Sequence, residues 1–258
     1  MMASTPNFYS PMALAGLAGL LGSAWALSVW QGLGVGKDLL WSALRATVQL
    51  GLMGFILAWL FRQDQPALLV SFLALMMLLA GRFNQRRGAG IPHAYWIGVT
   101  SIAIATTLTL AWMLVSGLVF WKGQSLVPIG GMIIGNAMNA VSLALNRLRS
   151  EVDQREDVLL AMLALGATER QAMRHLYATV VRSSLIPTID SLKSVGMIHI
   201  PGITAGMILA GMAPVAAVSM QLVVMIMLTA AVSLSVASAV LLAAPLALRF
   251  TDRAGGTA

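Results

Sequence analysis

Long apolar stretches recur along most of the chain and are separated by short polar connections. A transmembrane helix needs about 20 predominantly apolar residues, and seven stretches come close to that length or exceed it. They cover residues 12–31, 39–61, 66–82, 94–117, 125–146, 194–212 and 216–247. The last stretch is longer than one perpendicular helix requires, so it is expected to tilt or to begin with a short surface or re-entrant piece at Pro214. The pattern predicts an all-α, polytopic transmembrane helical bundle of about seven spans.

The composition agrees with a protein whose solvent is a lipid bilayer. Hydrophobic residues make up 59% of the chain and charged residues 10%, whereas soluble domains carry about 25% charged residues. Cysteine is absent, which excludes disulfides and thiolate metal sites. Only nine residues are acidic, which disfavours enzymes built on paired carboxylates. The first ten residues contain no basic signal-peptide region, so the first stretch is expected to be a retained span.

The net charge of +7 would indicate nucleic acid in a soluble protein, but cytoplasmic loops of membrane proteins are also enriched in Lys and Arg. With the N-terminus outside, the inside segments hold 13 basic residues and the outside loops hold only Arg62 and Lys122. The reverse topology would reverse this count. The distribution therefore predicts the N-terminus out, the C-terminus in, and no nucleic-acid partner.

Residues 147–193 form the longest polar segment and hold six of the nine acidic residues. Ser150 is predicted to cap a helix in which Glu151 and Arg155 are spaced i,i+4. A second helix is predicted to run toward Pro187. The segment from about 150 to 187 is therefore interpreted as a cytoplasmic helix–turn–helix.

Gly166 is predicted to end the first helix, because glycine tolerates the left-handed conformation. Thr168 and Gln171 have the spacing of a capping box that begins the second helix. A solvated loop with some helix is the plainer interpretation. A compact projection from a membrane-embedded chain is, however, a shape suited to docking in a partner's groove, and we favour docking.

Polar residues inside the predicted spans indicate a cavity or contacts between helices, since they are costly in lipid. Asn136, Asn139 and Asn146 lie on one face of the fifth span. Asn136 and Asn139 are candidates for a substrate pathway or for hydrogen bonds to neighbouring helices, and Asn146 is interpreted as a helix cap. Gly131 and Gly135 form a pair of small residues that permits close helix approach.

Helix-breaking and metal-binding residue types occur around the sixth predicted span. Pro201 and Gly202 are expected to break or kink it, and freed backbone carbonyls there can coordinate a cation. His199 and Asp190 are candidate metal ligands, and the thioether of Met138 is a third. The alternatives stay open: a structural hydrogen bond for His199, an ion pair with Lys193 for Asp190, and apolar packing for Met138.

Several long motifs resemble those of the iron-export ABC permease family, the FetB type. They are KDLLWSALRATVQL at 37–50, VPIGGMIIGNAMNAVSLALNRL at 127–148, LALGATERQA at 163–172 and SLIPTIDSLKSVGMIHIPGITAGMILAGMAPVAAVSMQ at 184–221. The resemblance covers nearly the whole chain and implies one ABC-permease membrane domain over residues 1–258. The family also includes plant proteins linked to aluminium tolerance.

The resemblance implies a permease that exports iron or another metal ion across the bacterial inner membrane. It implies a separate ATP-binding subunit that binds ATP and magnesium, with two copies of each subunit in the complex. The residues expected to transmit the motor's movement are Glu156, Gly166, Ala167, Thr168 and Glu169.

The chain is not expected to hydrolyse ATP or to bind a cofactor itself. Its nearest approach to a phosphate-binding loop is residues 31–38, where Gln31 and Asp38 replace the required Gly and Ser or Thr. The alternatives are an ion-driven secondary transporter, an intramembrane enzyme, and an ABC permease for a non-metal substrate such as a nucleotide sugar. The first alternative is disfavoured because no Asp or Glu lies in the middle of a predicted span to relay protons. The second is disfavoured because the sequence contains no catalytic motif.

Overall fold

A computed structural model describes residues 10–88, 90–198 and 200–247 of the chain. These residues form α-helices and no β-strand, which confirms the all-α prediction. The helices are α1 Pro11–Trp30, α2 Gly36–Gln63, α3 Pro66–Arg87, α4 Ala94–Val115, α5 Gly123–Gln154, α6 Glu156–Ala164, α7 Glu169–Ser194, α8 Gly202–Leu209 and α9 Pro214–Ala247.

Among the described residues, six helices are long and apolar enough to cross a membrane. They are α1 to α5 and α9, and each coincides with a predicted span. Helix α9 has 34 residues, about 51 Å at 1.5 Å per residue, so it is longer than the ~30 Å hydrocarbon core. Pro214 is its first residue, and the helix continues from there without a separate preceding piece, so tilt and a surface position of its first turns stay as the two predictions.

The predicted span at 194–212 is not a single helix. Helix α7 ends at Ser194, and the described residues between it and the short helix α8, which begins at Gly202, are non-helical. Gly196 and Gly211 have φ angles of +81° and +93°, a conformation that a continuous helix cannot contain. The prediction that Pro201 and Gly202 lie at a helix break is confirmed.

The chain divides into two compact units at residues 63 and 64, and each is described by itself. In the first unit, Ser10 caps α1 by accepting a hydrogen bond from Ala13 N–H at 3.2 Å. A turn with Gly32 and Gly34 at positive φ separates α1 from α2, as expected for a loop between spans. Nearly all side chains of this unit are exposed, which suits helices that face lipid or other protein surfaces.

The second unit is tied together at one end by Asp64. Its Oδ1 accepts a hydrogen bond of 2.7 Å from the N–H of Gly123, the first residue of α5. Helix α3 begins at Pro66, beside this contact. Helices α3 and α5 therefore run in the same direction. Helix α4, which lies between them in the sequence, runs in the opposite direction.

Helix α5 is the central element of the second unit and packs against α3, α4, α7 and α9. Its fully buried residues include several alanines, and so do those of α9. Small side chains allow helix backbones to approach closely where lipid provides no hydrophobic driving force. The core of this unit is thus a set of closely approaching membrane helices.

The closest helix approaches in the described residues occur at glycines other than the predicted pair, and the tightest is at Gly81, where an added Cβ atom would meet a methyl group of Val99. A Cβ atom on Gly130 would lie 2.6 Å from a methyl carbon of Leu73, and one on Gly98 would lie 2.7 Å from Nδ2 of Asn84. A Cβ atom on Gly131 would lie 3.3 Å from the terminal methyl carbon of Met76, which is a tight contact, and one on Gly135 would have no neighbour within 4 Å. The close-approach prediction was therefore wrong for Gly135, because that position faces open space.

Candidate functional site

Two backbone hydrogen bonds hold the α6 end of the α6–α7 turn. The N–H of Gly166 donates to Leu163 O and that of Ala167 donates to Met162 O, both at 3.0 Å, which is the Schellman arrangement at a helix C-terminus. Gly166 has a φ of +91°, a conformation that only glycine adopts readily. The prediction that Gly166 ends this helix is confirmed.

Helix α7 begins with a capping box. The N–H of Gln171 donates to Thr168 Oγ1 at 3.3 Å, and the N–H of Thr168 donates to Gln171 Oε1 at 2.8 Å. Both ends of the turn are thus fixed by local hydrogen bonds, as the sequence predicts. The turn is consequently a defined shape rather than a variable loop.

The limits of the helix–turn–helix differ from the prediction. Ser150 is not a cap, because α5 continues through it to Gln154. The predicted pair of Glu151 and Arg155 is present as an ion pair, with 3.1 Å between Oε2 and Nε. The first short helix begins instead at Glu156. The second helix does not end at Pro187 but continues to Ser194, since a proline can sit inside a helix that neighbouring packing supports.

The residues predicted to contact the ATP-binding subunit lie at or near the surface around this turn. Gly166, Thr168 and Glu169 are exposed, and Glu156 and Ala167 are half-buried. Two apolar neighbours are also exposed, Leu165 by 88% and Val158 by 60% of their surface. These two side chains add apolar surface near the turn, and contiguous apolar surface is what marks contact sites in proteins.

A groove of about 850 Å³ lies beside the turn, between the first turns of α7 and the last turns of α9. Thr168, Glu169 and Tyr177 line one side, and Leu241 and Pro245 line the other. Helices α7 and α9 are therefore antiparallel, with the end of α9 beside the turn. The groove extends the exposed surface of the turn along the bundle.

A cavity of about 660 Å³ lies farther along α7, where this helix faces α5, α8 and α9. Most of its lining is apolar, and we call it the polar cavity after the hydroxyl and amide groups that it also contains. It brings together four predicted pathway residues, Asn136, Asn139, Pro201 and Gly202. Its other polar residues are Ser184, Thr188, Ser191, Gln221 and Thr229. None of the described lining residues is charged, so the cavity offers hydroxyl and amide groups.

Ser184 is the most unusual residue of this cavity. It is 2% exposed, and its Oγ atom has no hydrogen-bond partner among the described residues. A buried hydroxyl without a partner is unfavourable. Ser184 Oγ is itself enclosed by its neighbours, so a substrate oxygen, a water molecule or a cation in the cavity reaches it only when the lining side chains move.

The predicted metal ligands are not brought together in the described residues. Asp190 is exposed, lies 4.0 Å from Lys193 Nζ, and does not line the polar cavity. Met138 lines a different cavity, and His199 lies outside the described residues. Within the described ranges, no group of three acidic, His or Cys side chains could hold a metal ion.

That second cavity, of about 470 Å³, lies between the end of α3 and α5. Arg86, Arg87, Ser142 and Asn146 line it, and Asn139 belongs to both cavities. Asn146 is therefore a cavity residue inside α5, and the interpretation of Asn146 as a helix cap was wrong because the helix continues to Gln154.

Sequence reasoning missed several polar residues of these cavities. Ser184 and Gln221 are buried, and Arg86 and Arg87 looked like ordinary basic residues of a cytoplasmic loop. The available signal was the presence of Gln221 inside a long apolar stretch, since buried amides in membrane helices need a partner. No comparable signal marks Ser184, because serines are common in such helices.

The model of the uncharacterised protein family UPF0014 matches residues 11–247. The chain belongs to the UPF0014 family. Within the sequence, this match covers all the helices from α1 to α9. The iron-export permease type that the motifs resemble is represented among its relatives, so that recognition is confirmed.

The UPF0014 chain is 37% identical to "Probable iron export permease protein FetB" of Escherichia coli over 199 residues, 77% of each chain. It is 34% identical to "UPF0014 membrane protein YjkA" of Bacillus subtilis over 202 residues, 78% of this chain and 81% of that one. It is 31% identical to "Protein ALUMINUM SENSITIVE 3" of Arabidopsis thaliana over 209 residues, 81% of this chain and 77% of that one. No solved structure matches the chain.

These relatives and the six apolar helices establish a multi-pass membrane protein of a permease family. Two surfaces stand out in the UPF0014 fold. One is the rigid α6–α7 turn with its apolar neighbours, and the other is the polar cavity between α5, α7 and α9. Helix α7 contributes residues to both.

Proposed function

We propose that this chain is the membrane-spanning permease subunit of an ABC transporter that exports a metal cation, iron in the first place, across the bacterial inner membrane. A separate ATP-binding subunit binds ATP and magnesium and supplies the energy. Two permease chains and two ATP-binding subunits form the complex. The similarity to a protein named as an iron export permease supports the cargo and the direction.

The observation that carries the proposal is the path of α7. Its first turns, Thr168 to Tyr177, line the groove beside the exposed turn, and its later residues, Ser184 to Ser191, line the polar cavity. A helix is stiff along its axis, so a push on the turn shifts the residues at the cavity. In this mechanism, closure of the ATP-binding subunits moves α7 against α5 and α9.

The chemistry of the cavity is compatible with a cation. Hydroxyl and amide oxygens are ligands that hard cations accept, and the buried Ser184 Oγ has no competing protein partner among the described residues. The break before α8 places Pro201 and Gly202 at the same cavity. Backbone carbonyls at such breaks are a recurrent source of cation ligands in transporters.

A non-metal cargo is the second candidate. No carboxylate or imidazole lines the polar cavity among the described residues, and tight metal sites commonly use these groups. Under this alternative the same motor and the same movement of α7 apply, and only the cargo differs.

The test begins with co-expression of the chain and candidate ATP-binding subunits, starting with any that a neighbouring gene encodes, followed by affinity purification. We expect the two proteins to co-purify and their ATPase activity in proteoliposomes to rise with added Fe²⁺, together with iron transport into inverted vesicles. Co-purification with ATPase activity that iron leaves unchanged would favour the non-metal cargo. Failure to co-purify with any ATP-binding subunit would overturn the ABC assignment.

The contact itself is tested with Gly166→Pro. The Gly166 φ of +91° is inaccessible to proline, whose φ is fixed near −65°, so the turn must change shape. We expect normal membrane insertion but loss of coupled ATP hydrolysis. The matched control is Gly117→Pro, a positive-φ glycine in the loop after α4, at the opposite end of the unit; this variant should keep coupling.

A further inference from the structure

The cavity between the end of α3 and α5 has a different chemistry from the polar cavity. Two arginines from consecutive positions of α3, Arg86 and Arg87, lie on one side. Three residues of α5 with amide or hydroxyl groups, Asn139, Ser142 and Asn146, lie on the other. No acidic residue is among the described residues that line it.

Neither arginine forms an ion pair with an acidic residue in the part of the chain that the structure describes. The ion pairs of the described residues involve Arg149, Arg155 and Lys193 as the basic partners, and Arg86 and Arg87 are not among them. The C-terminus of α3 offers only about half a negative charge. Two adjacent guanidinium groups therefore leave a net positive cavity.

Basic residues near the cytoplasmic ends of spans are ordinary in membrane proteins, so charge alone does not make a site. Arg82 illustrates the ordinary case: all three arginines of this helix end are exposed, but Arg82 lines none of the described cavities. Arg86 and Arg87 differ because they border a concave space of about 470 Å³ and face the amide-bearing helix α5. Guanidinium and amide N–H groups together donate hydrogen bonds of the kind that phosphate oxygens accept.

We propose that this cavity binds the phosphate group of an anion, with Arg86 and Arg87 as the charged donors and Asn139 and Asn146 as the amide donors. The phosphate belongs either to an anionic lipid headgroup or to a soluble phosphate. This site is separate from the polar cavity proposed to hold the cargo, which we call the cargo cavity. The existence of the site does not depend on the ABC assignment. Asn139 lines both cavities, so an anion held here restrains one wall of the cargo cavity.

The experiment uses the purified full-length chain and two probes. In the first arm, the chain is placed in nanodiscs of phosphatidylcholine with or without phosphatidylglycerol, and native mass spectrometry counts the phosphatidylglycerol retained after release. In the second arm, inorganic phosphate is titrated into the chain in neutral-lipid nanodiscs by calorimetry. Retained phosphatidylglycerol with no phosphate binding identifies a lipid headgroup, and saturable phosphate binding identifies a soluble source.

The decisive variant is Arg86→Gln combined with Arg87→Gln, and its matched control is Arg82→Gln. We expect the double variant to weaken binding in the positive arm by about tenfold or more, because charge-assisted hydrogen bonds are lost. The control should stay within about twofold, since an exposed arginine outside the cavity contributes only screened attraction. An equal loss in both variants would reduce the effect to general surface charge and overturn the proposal.

Binding in neither arm would also overturn it. If the double variant is not monodisperse on size exclusion, Asn146→Leu replaces it, because this change keeps both charges and removes only an amide donor. We expect Asn146→Leu to weaken binding several-fold, and an unchanged affinity would count against the site.

Discussion

Thr204 of α8 donates a hydrogen bond to Gln221 of α9, with 3.1 Å between Oγ1 and Oε1, and both residues are buried. This contact connects α8, the short helix that follows the break at Pro201, to α9, the long last helix. It also fixes the position of Gln221 in the wall of the polar cavity. The hydrogen bond thus connects a structural break to the candidate cargo site.

We expect Thr204→Val to lower the thermal stability of the chain, because it leaves the buried Gln221 oxygen without its donor at a cost of about 1–3 kcal/mol. The combination of Thr204→Val with Gln221→Leu should recover part of the loss, since no polar group is then left unpaired. Thermal unfolding in detergent, followed by tryptophan fluorescence, measures both. Thr100→Val is the control, because Thr100 is exposed and bonds only carbonyls of its own helix; a drop of equal size there would contradict the assignment.

The close contact between α3 and α4 depends on Gly98, because glycine has no side chain at this position. A Cβ atom at this position would lie 2.7 Å from Nδ2 and 2.8 Å from Cβ of Asn84, and Asn84 also accepts a 2.6 Å hydrogen bond from Ser142. We expect Gly98→Ala to destabilise the chain by about 1–3 kcal/mol, as overpacking does elsewhere.

Gly135→Ala provides the contrast, because no atom lies within 4 Å of its added Cβ. Alanine is favoured over glycine in a helix by up to about 1 kcal/mol, so stability should stay the same or rise. The two variants are compared by thermal unfolding in the same detergent. Equal behaviour would mean that Gly98 and Asn84 do not pack as described.

Ser184→Ala separates a role in transport from a role in folding. The Ser184 hydroxyl has no hydrogen-bond partner among the described residues, so its removal should leave the unfolding temperature unchanged or slightly higher. If the cargo uses Ser184 Oγ, transport into inverted vesicles should fall while stability does not. This expectation depends on the proposed transport function.

The neighbouring change Ser183→Ala is the matched control for Ser184→Ala. Ser183 Oγ donates to Val180 O of its own helix at 3.2 Å and does not line the cavity. Its loss should leave transport within about twofold, a change worth less than about 0.5 kcal/mol. Equal transport by both variants would remove Ser184 from the cargo site.

Asp64 is expected to stabilise the start of α5. Its carboxylate accepts the first backbone N–H of that helix at 2.7 Å, and the loss of such a cap costs about 0.5–2 kcal/mol. We expect Asp64→Ala to lower the unfolding temperature. Asp64→Asn should lower it less, because asparagine keeps an acceptor oxygen and tolerates the positive φ of this residue.

Local features were predictable because their causes lie within a few residues of sequence. The spans follow from the length of the apolar stretches, and the turn at Gly166 and Thr168 follows from glycine's freedom at positive φ and from the capping spacing to Gln171. The break at Pro201 follows from proline's missing N–H. None of these depends on which helix lies beside which.

The length of α5 and α7 could not be read in the same way. Ser150 had the residue type of a cap, and Pro187 had the type of a stop, yet both lie inside helices. Packing of α5 and α7 against the rest of the bundle outweighs these local preferences, which amount to about 1 kcal/mol for a cap and about 3 kcal/mol for a proline.

The sequence by itself determined the membrane class of this protein, the positions of six apolar helices and the rigid turn between α6 and α7. Only the tertiary structure decided which polar side chains meet, placing Asn139 between two cavities, Ser184 beside Gln221, and Arg86 opposite Asn146. The physical reason is that hydropathy and capping act over a few residues along the chain. Cavities arise where helices distant in sequence fail to fill the space between them.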